Sequence, residues 1–173
     1  MKSFLLRLWQ YESQIRGFIV LARFFHYRVP LIGRIVAMLV DRLVFILYNV
    51  DLTSSRVDIA RLSISHPAGV LLGGNGIRSP GRVVVMSGVK FIARKPNAPD
   101  YLAAHQAGCV FKLGDNVVLG VGTTVVGPIE ICDNVIVGAM SLVNRSISES
   151  GTYVGIPARK ISDEAGTEWV AHL

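Results

Sequence analysis

The chain has 173 residues, of which 51% are hydrophobic and 17% charged, and this balance excludes an intrinsically disordered protein. The length fits one domain, or one domain with a small appendage. The net charge of +6 suits an anionic partner. Lysine and arginine are scattered and do not interleave with aromatic residues, so we expect no nucleic acid partner. A solvated basic surface and a site for a polyanionic cofactor both remain open.

The N-terminal segment 1–50 predicts two helices. Apolar residues recur at helical spacing over 3–24 and 33–48, and Pro30 lies between the two stretches. Charged residues interrupt every apolar run in 17–50, so we expect no membrane span. Both helices are apolar over much of their circumference, which predicts contact with a neighbouring subunit or peripheral contact with a membrane surface.

We expect no signal peptide, because the first residues, MKSFLLRLWQYESQ, lack an apolar core and a cleavage site. Cys109 and Cys132 have neither metal-ligand spacing nor a partner motif, so we expect free thiols and no metal. These features indicate a cytoplasmic protein, with the inner face of the membrane as a further option.

A six-residue repeat begins at residue 113, in the hexads LGDNVV, LGVGTT, VVGPIE, ICDNVI, VGAMSL and VNRSIS. The first position is always aliphatic, and the fifth is small or β-branched. This period fits short strands joined by corners, with three hexads in each triangular coil. We therefore predict a mainly β fold, a left-handed parallel β-helix. We expect the first positions to point inward and the fifth to fit the corners.

The repeat extends upstream with slips, through hexads that start at Val57, Ile64, Val70, Ile77, Val83 and Val89. Segment 93–110 breaks the rhythm and is too long for a corner, and long loops in solenoids are commonly functional. The predicted organisation is an N-terminal helical segment 1–50, a solenoid 51–162 with the loop 93–110, and a C-terminal tail 163–173.

One histidine stands out in the stretch LSISHPAGVLLG. His66 lies among small and aliphatic residues, where an imidazole either acts as a general base or fills a turn. The residues of this stretch alone leave both roles open.

Five motifs stand out over about residues 20–162: LARFFHYR, NVDL, SHPAGVLLG, VVLGVGTTVVGPIEI and GIPARK. They resemble motifs of hexapeptide-repeat acyltransferases, above all serine acetyltransferases and their saccharide-acetylating relatives. The resemblance implies a homotrimer that transfers an acetyl group from acetyl-CoA to a hydroxyl group, without a metal.

The resemblance also implies site residues. The catalytic base of the family lies in a His-x-x-Gly-x-x-x-Gly stretch, which matches His66 with Gly69 and Gly73. The family places an aspartate fifteen residues earlier, which matches Asp51. One coil separates the two positions, so we expect Asp51 to stack on His66 and fix its tautomer. Capping of the helix-to-solenoid junction is the alternative role for Asp51.

Coenzyme A binds in this family along the groove between subunits, beside the late coils. The matching positions are Gly120, Val121, Gly138 and Ala139, whose small side chains let a pantetheine arm approach the backbone. Arg159 and Lys160 follow the terminal motif and suit phosphate groups. Corner packing is the alternative role for the glycines, and a solvated chain end is the alternative for the cations.

The chain departs from serine acetyltransferases where they bind the amino acid. Ser65 replaces the aspartate that precedes their catalytic histidine, and CVFK at 109–112 replaces their Arg-His-Pro-Lys. Because a zwitterion needs charged partners, we expect a neutral saccharide acceptor, contacted by Ser65, Asp100 and His105. Capsule, lipopolysaccharide and exopolysaccharide are the expected contexts. The alternatives are serine O-acetylation and a non-catalytic trimeric scaffold.

Overall fold

The structure is a computed structural model that describes residues 11–166. It is mainly β, with parallel strands coiled into a left-handed β-helix behind a short helical segment, which confirms the predicted fold class. The predicted residues 3–10 of the first helix and 167–173 of the tail lie outside the described residues.

The helical segment is a hairpin of α1 (Tyr11–Arg28) and α2 (Ile32–Tyr48). The second helix agrees with the prediction, and the first extends past it to Arg28, because the sequence carries no breaker before Pro30. Ile15, Ala22 and Val44 are buried in this hairpin. The helices meet closely at Gly33, where a Cβ atom would lie 2.1 Å from the Phe25 carbonyl oxygen.

Apolar side chains on the outer sides of both helices are exposed to solvent. Val20 of α1 is 68% exposed and Ile46 of α2 is 76% exposed, which is unusual for a continuous helical surface. Across residues 11–166, no helix combines the length and the apolarity needed to cross a membrane.

Short strands follow the hairpin and build the coils. They are β1 (Val50–Leu52), β2 (Val57–Ser65), β3 (Val70–Gly73), β4 (Ile77–Met86), β5 (Lys90–Ala93), β6 (Phe111–Leu113), β7 (Val117–Leu119), β8 (Thr124–Gly127), β9 (Ile129–Ile131), β10 (Val135–Val137), β11 (Leu142–Val143), β12 (Gly151–Val154) and β13 (Arg159–Ser162). A 3₁₀ turn at Ser54–Arg56 joins β1 to β2.

The coils form a prism with three faces. The first face holds β1, β3, β5, β8 and β11 in parallel order. The second face holds the beginnings of β2 and β4 together with β6 and β9. The third face holds the later parts of β2 and β4 with β7, β10 and β12, and the antiparallel strand β13 closes its end. Regular coils repeat every 18 residues, as where Val117 pairs with Val135.

The inward rhythm of the first hexad positions is confirmed, because all of them are buried. They are Leu113, Leu119, Val125, Ile131, Val137 and Val143, preceded upstream by Val57, Ile64, Val70, Ile77, Val83 and Val89. The expected place of the fifth positions is wrong. These residues also point inward and are buried, since each strand runs from a fifth position through a sixth to the next first position, as in Val117–Leu119. The corners lie at the second to fourth positions.

Segment 93–110 leaves the solenoid between the first and second faces. It contains α3 (Pro99–Gln106), which the sequence did not predict. Tyr101 of this helix is buried and donates a hydrogen bond of 2.6 Å to Asn75 Oδ1, so α3 is attached to the coil above it.

Candidate functional site

His66 lies on an enlarged corner between the third and first faces. Ser65 pairs with Met86, and four residues then lead to buried Val70, whereas two residues lead from Met86 to buried Val89. His66 and Pro67 are therefore an insertion in this corner. His66 is exposed and has a left-handed backbone with φ of 57°. Histidine tolerates this conformation better than most residues, and strained positions of this kind cluster at functional sites.

The corners below His66 stack into a continuous edge, which we call the His66 edge and which comprises 66–69, 87–88, 120–122 and 138–140. Backbone hydrogen bonds join successive corners along it: Gly88 N–H to the Ala68 carbonyl at 2.9 Å, Gly122 N–H to Ser87 at 2.8 Å, and Met140 N–H to Val121 at 2.8 Å. The structure thus places four of the residues expected at coenzyme A on the same edge as His66, namely Gly120, Val121, Gly138 and Ala139.

Coil packing explains the two glycines among these residues without a ligand. A Cβ atom on Gly120 would lie 2.8 Å from the Ala139 nitrogen, and one on Gly138 would lie 2.7 Å from a methyl group of Val154. Val121 is exposed, so the edge presents both backbone and an apolar side chain to solvent. Their contact with coenzyme A stays a prediction.

Asp51 does not stack on His66 as expected. The register of β1 and β3 pairs Val50 with Val70 and Asp51 with Leu71, five positions beyond His66. The enlarged corner lengthens this first coil beyond 18 residues. The register between β1 and β3 is therefore shifted relative to that of a regular coil. Asp51 is exposed, and among the hydrogen bonds of residues 11–166 none joins it to His66.

Asp51 instead borders a cavity of about 310 Å³ beside α2, together with His26 and Asp41. Asp41 accepts hydrogen bonds from the Ser54 backbone N–H at 3.1 Å and from the Ser54 hydroxyl. Burial raises the pKa of Asp41, although the bonds from Ser54 oppose that shift. Asp41 thus fastens α2 to the turn after β1, and the helix forms one wall of the cavity that Asp51 faces.

Sequence reasoning missed Glu12 of α1, whose carboxylate reaches β2, the strand that ends directly before His66. Its Oε1 accepts hydrogen bonds from Ser63 Oγ at 2.5 Å and from Ser65 Oγ at 3.0 Å. Lys90 is a second missed residue, since its Nζ donates to the Gly88 carbonyl of the His66 edge at 3.4 Å. Ser63 and Ser65 flank buried Ile64, so both point outward from β2, and this pattern was a weak signal for a polar contact there. It could not show which helix residue makes the contact.

Asp100 and His105 lie at a different edge of the prism. Both belong to α3, between the first and second faces, whereas His66 lies between the third and first. The His105 ring stacks on Tyr101 with centroids 5.6 Å apart, and its carbonyl accepts a bond from Arg56 at 3.4 Å. One chain therefore does not bring these residues to His66, and their acceptor role stays a prediction.

The two cations after the terminal motif differ in their surroundings. Lys160 pairs with Glu149 at 2.9 Å and with Asp163 at 2.7 Å, and these carboxylates raise its pKa above the usual range. The Arg159 side chain is exposed and donates to the Ala158 carbonyl at 3.4 Å. Arg159 therefore fits a phosphate group better than Lys160 does.

Neither cysteine has the surroundings of a nucleophile. Cys109 is buried, and burial raises the pKa of the Cys132 thiol. Residues 11–166 contain no cluster of three or more histidine, cysteine, aspartate or glutamate side chains that could hold a metal ion.

The fold is a left-handed parallel β-helix, and the solved structures that share it include serine acetyltransferases. Soybean serine acetyltransferase complexed with serine superposes with a TM-score of 0.68 at 23% identity, over 90% of this chain and 59% of that one. The Brucella abortus serine acetyltransferase in complex with coenzyme A gives a TM-score of 0.68 at 17% identity, over 87% and 55%.

A local sequence match agrees with the structural one. The serine acetyltransferase of Synechococcus elongatus is 49% identical over 49 residues, which cover 28% of this chain and 20% of that protein. No family model matches the chain. The chain spans about a fifth of this curated relative.

These comparisons correct the expected acceptor. The expectation of a saccharide rested on the charges missing at Ser65 and 109–112, and it is wrong, because the similar proteins above are serine acetyltransferases. The comparisons favour the alternative, serine O-acetylation.

Proposed function

We propose that the chain is an acetyl-CoA-dependent serine O-acetyltransferase. The observation that carries this proposal is His66, an exposed histidine with a left-handed backbone on an inserted corner, within a fold shared with serine acetyltransferases. Solved relatives of this fold hold coenzyme A or serine, which supports the same two ligands here.

The reaction needs one general base and no covalent intermediate. His66 accepts the proton of the serine hydroxyl while the oxygen attacks the thioester carbonyl carbon of acetyl-CoA. The tetrahedral intermediate then expels the thiolate of coenzyme A as the carbon–sulfur bond breaks. His66 returns the proton to this sulfur, so the products are O-acetylserine and free coenzyme A.

Asp51 has a positioning role in this proposal. A carboxylate that accepts the Nδ1 proton of His66 leaves Nε2 free as the base. Asp51 and His66 are both exposed, and within residues 11–166 no hydrogen bond joins them, so this role requires a contact that forms in the substrate complex. Catalytic hydrogen bonds often tighten only in the substrate complex.

The coenzyme follows the His66 edge in this proposal. Gly120, Val121, Gly138 and Ala139 line the pantetheine arm, and Arg159 meets a phosphate group.

A homotrimer places a second subunit along each such edge and covers the exposed apolar helices. It also provides a route by which Asp100 and His105 of one subunit approach His66 of the next. Light scattering tests the trimer directly.

The proposal is tested by thiol release from acetyl-CoA in the presence of L-serine. We expect turnover that depends on both substrates and stops in the His66→Ala variant. Mass spectrometry of the product identifies O-acetylserine. Thiol release with a sugar but not with serine contradicts the proposal, as does full activity of His66→Ala.

A further inference from the structure

Glu12 brings a carboxylate to the strand that carries the candidate base. Ser63 and Ser65 alternate with buried Ile64, so their side chains point out from the third face toward α1. Both hydroxyls donate to the same oxygen, Glu12 Oε1, at 2.5 and 3.0 Å. Because Ser65 directly precedes His66, the helix delivers a negative charge beside the catalytic corner.

This carboxylate differs from the acidic groups that form ion pairs between elements of the fold. Asp58 on the same strand pairs with Arg23 of α1 at 3.0 Å, and Asp115 pairs with Arg61 at 3.3 Å. Glu12 is half-buried, and no lysine, arginine or histidine of residues 11–166 forms an ion pair with it. Within the same range, hydroxyl donors hold Oε1, and no donor is bound to Oε2. A half-buried carboxylate without a cation suits a ligand that carries one.

We propose that Glu12 binds the ammonium group of the acceptor amino acid, an inference that rests on the proposed function. Two carbon atoms separate the ammonium nitrogen of serine from its hydroxyl, so the group that binds the ammonium must lie next to the base. Glu12 meets this condition through Ser65. It supplies from α1 the charge that Ser65 itself lacks, with Ser63 and Ser65 as positioning residues.

The same contact also fastens α1 to β2, so the test must separate binding from anchoring. Glu12→Gln keeps an oxygen that accepts from both serines and removes the charge. Glu12→Asp keeps the charge on a shorter side chain. Arg23→Gln is the matched control, because it breaks the other polar link between these elements, to Asp58 and to the Val57 carbonyl.

The experiment is steady-state kinetics of the full chain with acetyl-CoA and L-serine. We expect Glu12→Gln to raise the KM for serine about 10- to 100-fold, the usual effect of losing a charge-assisted hydrogen bond. The KM for acetyl-CoA and the melting temperature should stay near those of the wild type. Glu12→Asp should recover part of the loss, and Arg23→Gln should leave the KM for serine unchanged.

Three results overturn the inference. If the wild type turns over serine and Glu12→Gln keeps its KM, Glu12 has no part in binding and the proposed function stands. If Glu12→Gln and Arg23→Gln raise the KM equally, the contact acts through helix docking. If the wild type does not turn over serine, both proposals fall together.

Discussion

The Asn49 carbonyl accepts a hydrogen bond of 3.0 Å from the Gly69 N–H, and this contact fixes the first strand above the corner of His66. Both residues have a left-handed backbone, with φ of 55° and 73°. Equivalent left-handed positions follow at Gly88, Gly122 and Met140, each before a buried residue. The corner is thus a repeated device, and His66 is an addition to it.

The positioning role proposed for Asp51 leads to a prediction. We expect Asp51→Asn to lower kcat/KM about 10- to 100-fold, because the imidazole loses the group that selects its tautomer. Adding His66→Ala to this variant should cost no more than His66→Ala alone, since residues acting as a unit are not additive. Additive losses in the double variant would show that Asp51 acts independently of His66.

Removal of the imidazole should have the largest effect on turnover. We expect His66→Ala to lower kcat about 10²- to 10⁴-fold, the usual contribution of a general base. His66 is exposed, so circular dichroism should keep the wild-type spectrum, whereas the melting temperature should fall slightly because alanine tolerates φ of 57° less well than histidine. His26→Ala is the matched control, because His26 lies on α1 outside the His66 edge, and it should retain turnover.

Alanine substitutions at two glycines should have opposite effects on the stability of the fold. Gly76 has φ of 90°, and a Cβ atom there would lie 2.3 Å from the Gly108 carbonyl oxygen, so Gly76→Ala should destabilise the fold by about 2–4 kcal/mol. Gly17 lies within α1 with nothing within 4 Å of a Cβ atom. Gly17→Ala should stabilise by about 0.5–1 kcal/mol. Urea denaturation measures the free energy of unfolding of both variants. A Gly76→Ala variant as stable as the wild type would contradict the expected clash with Gly108.

Asp115 predicts a pH-dependent contribution to stability. The Arg82 N–H at 2.6 Å, then the Asn116 N–H and Arg61, hold the pKa of Asp115 below its usual range. A depressed pKa contributes stability that is present above the unfolded value of about 4 and is lost as the pH falls through the folded value.

The Asp115 side chain is 41% exposed, so solvent screening weakens these contacts. Asp115→Ala should therefore destabilise by less than about 1 kcal/mol at pH 7, and its melting temperature should approach that of the wild type below about pH 4. Asp163→Ala is the control, since Asp163 is fully exposed beside Lys160 and should change the melting temperature little at either pH. An unchanged difference between pH 7 and pH 3 would assign the Asp115 effect to packing instead.

The sequence by itself determined the coils, because residues two positions apart in a strand lie on the same face, so that the inward-pointing residues recur at a fixed spacing along the chain. It therefore predicted the inward first positions of the hexads and the break at 93–110. The tertiary structure alone decided which side chains meet. The insertion at His66 and Pro67 changes the register, so that Asp51 pairs with Leu71. The packing of α1 brings Glu12 into contact with Ser65, which is 53 positions away in the sequence. Such contacts depend on the lengths of all the corners together and on how the helices pack against the coils, and a local sequence pattern cannot predict either.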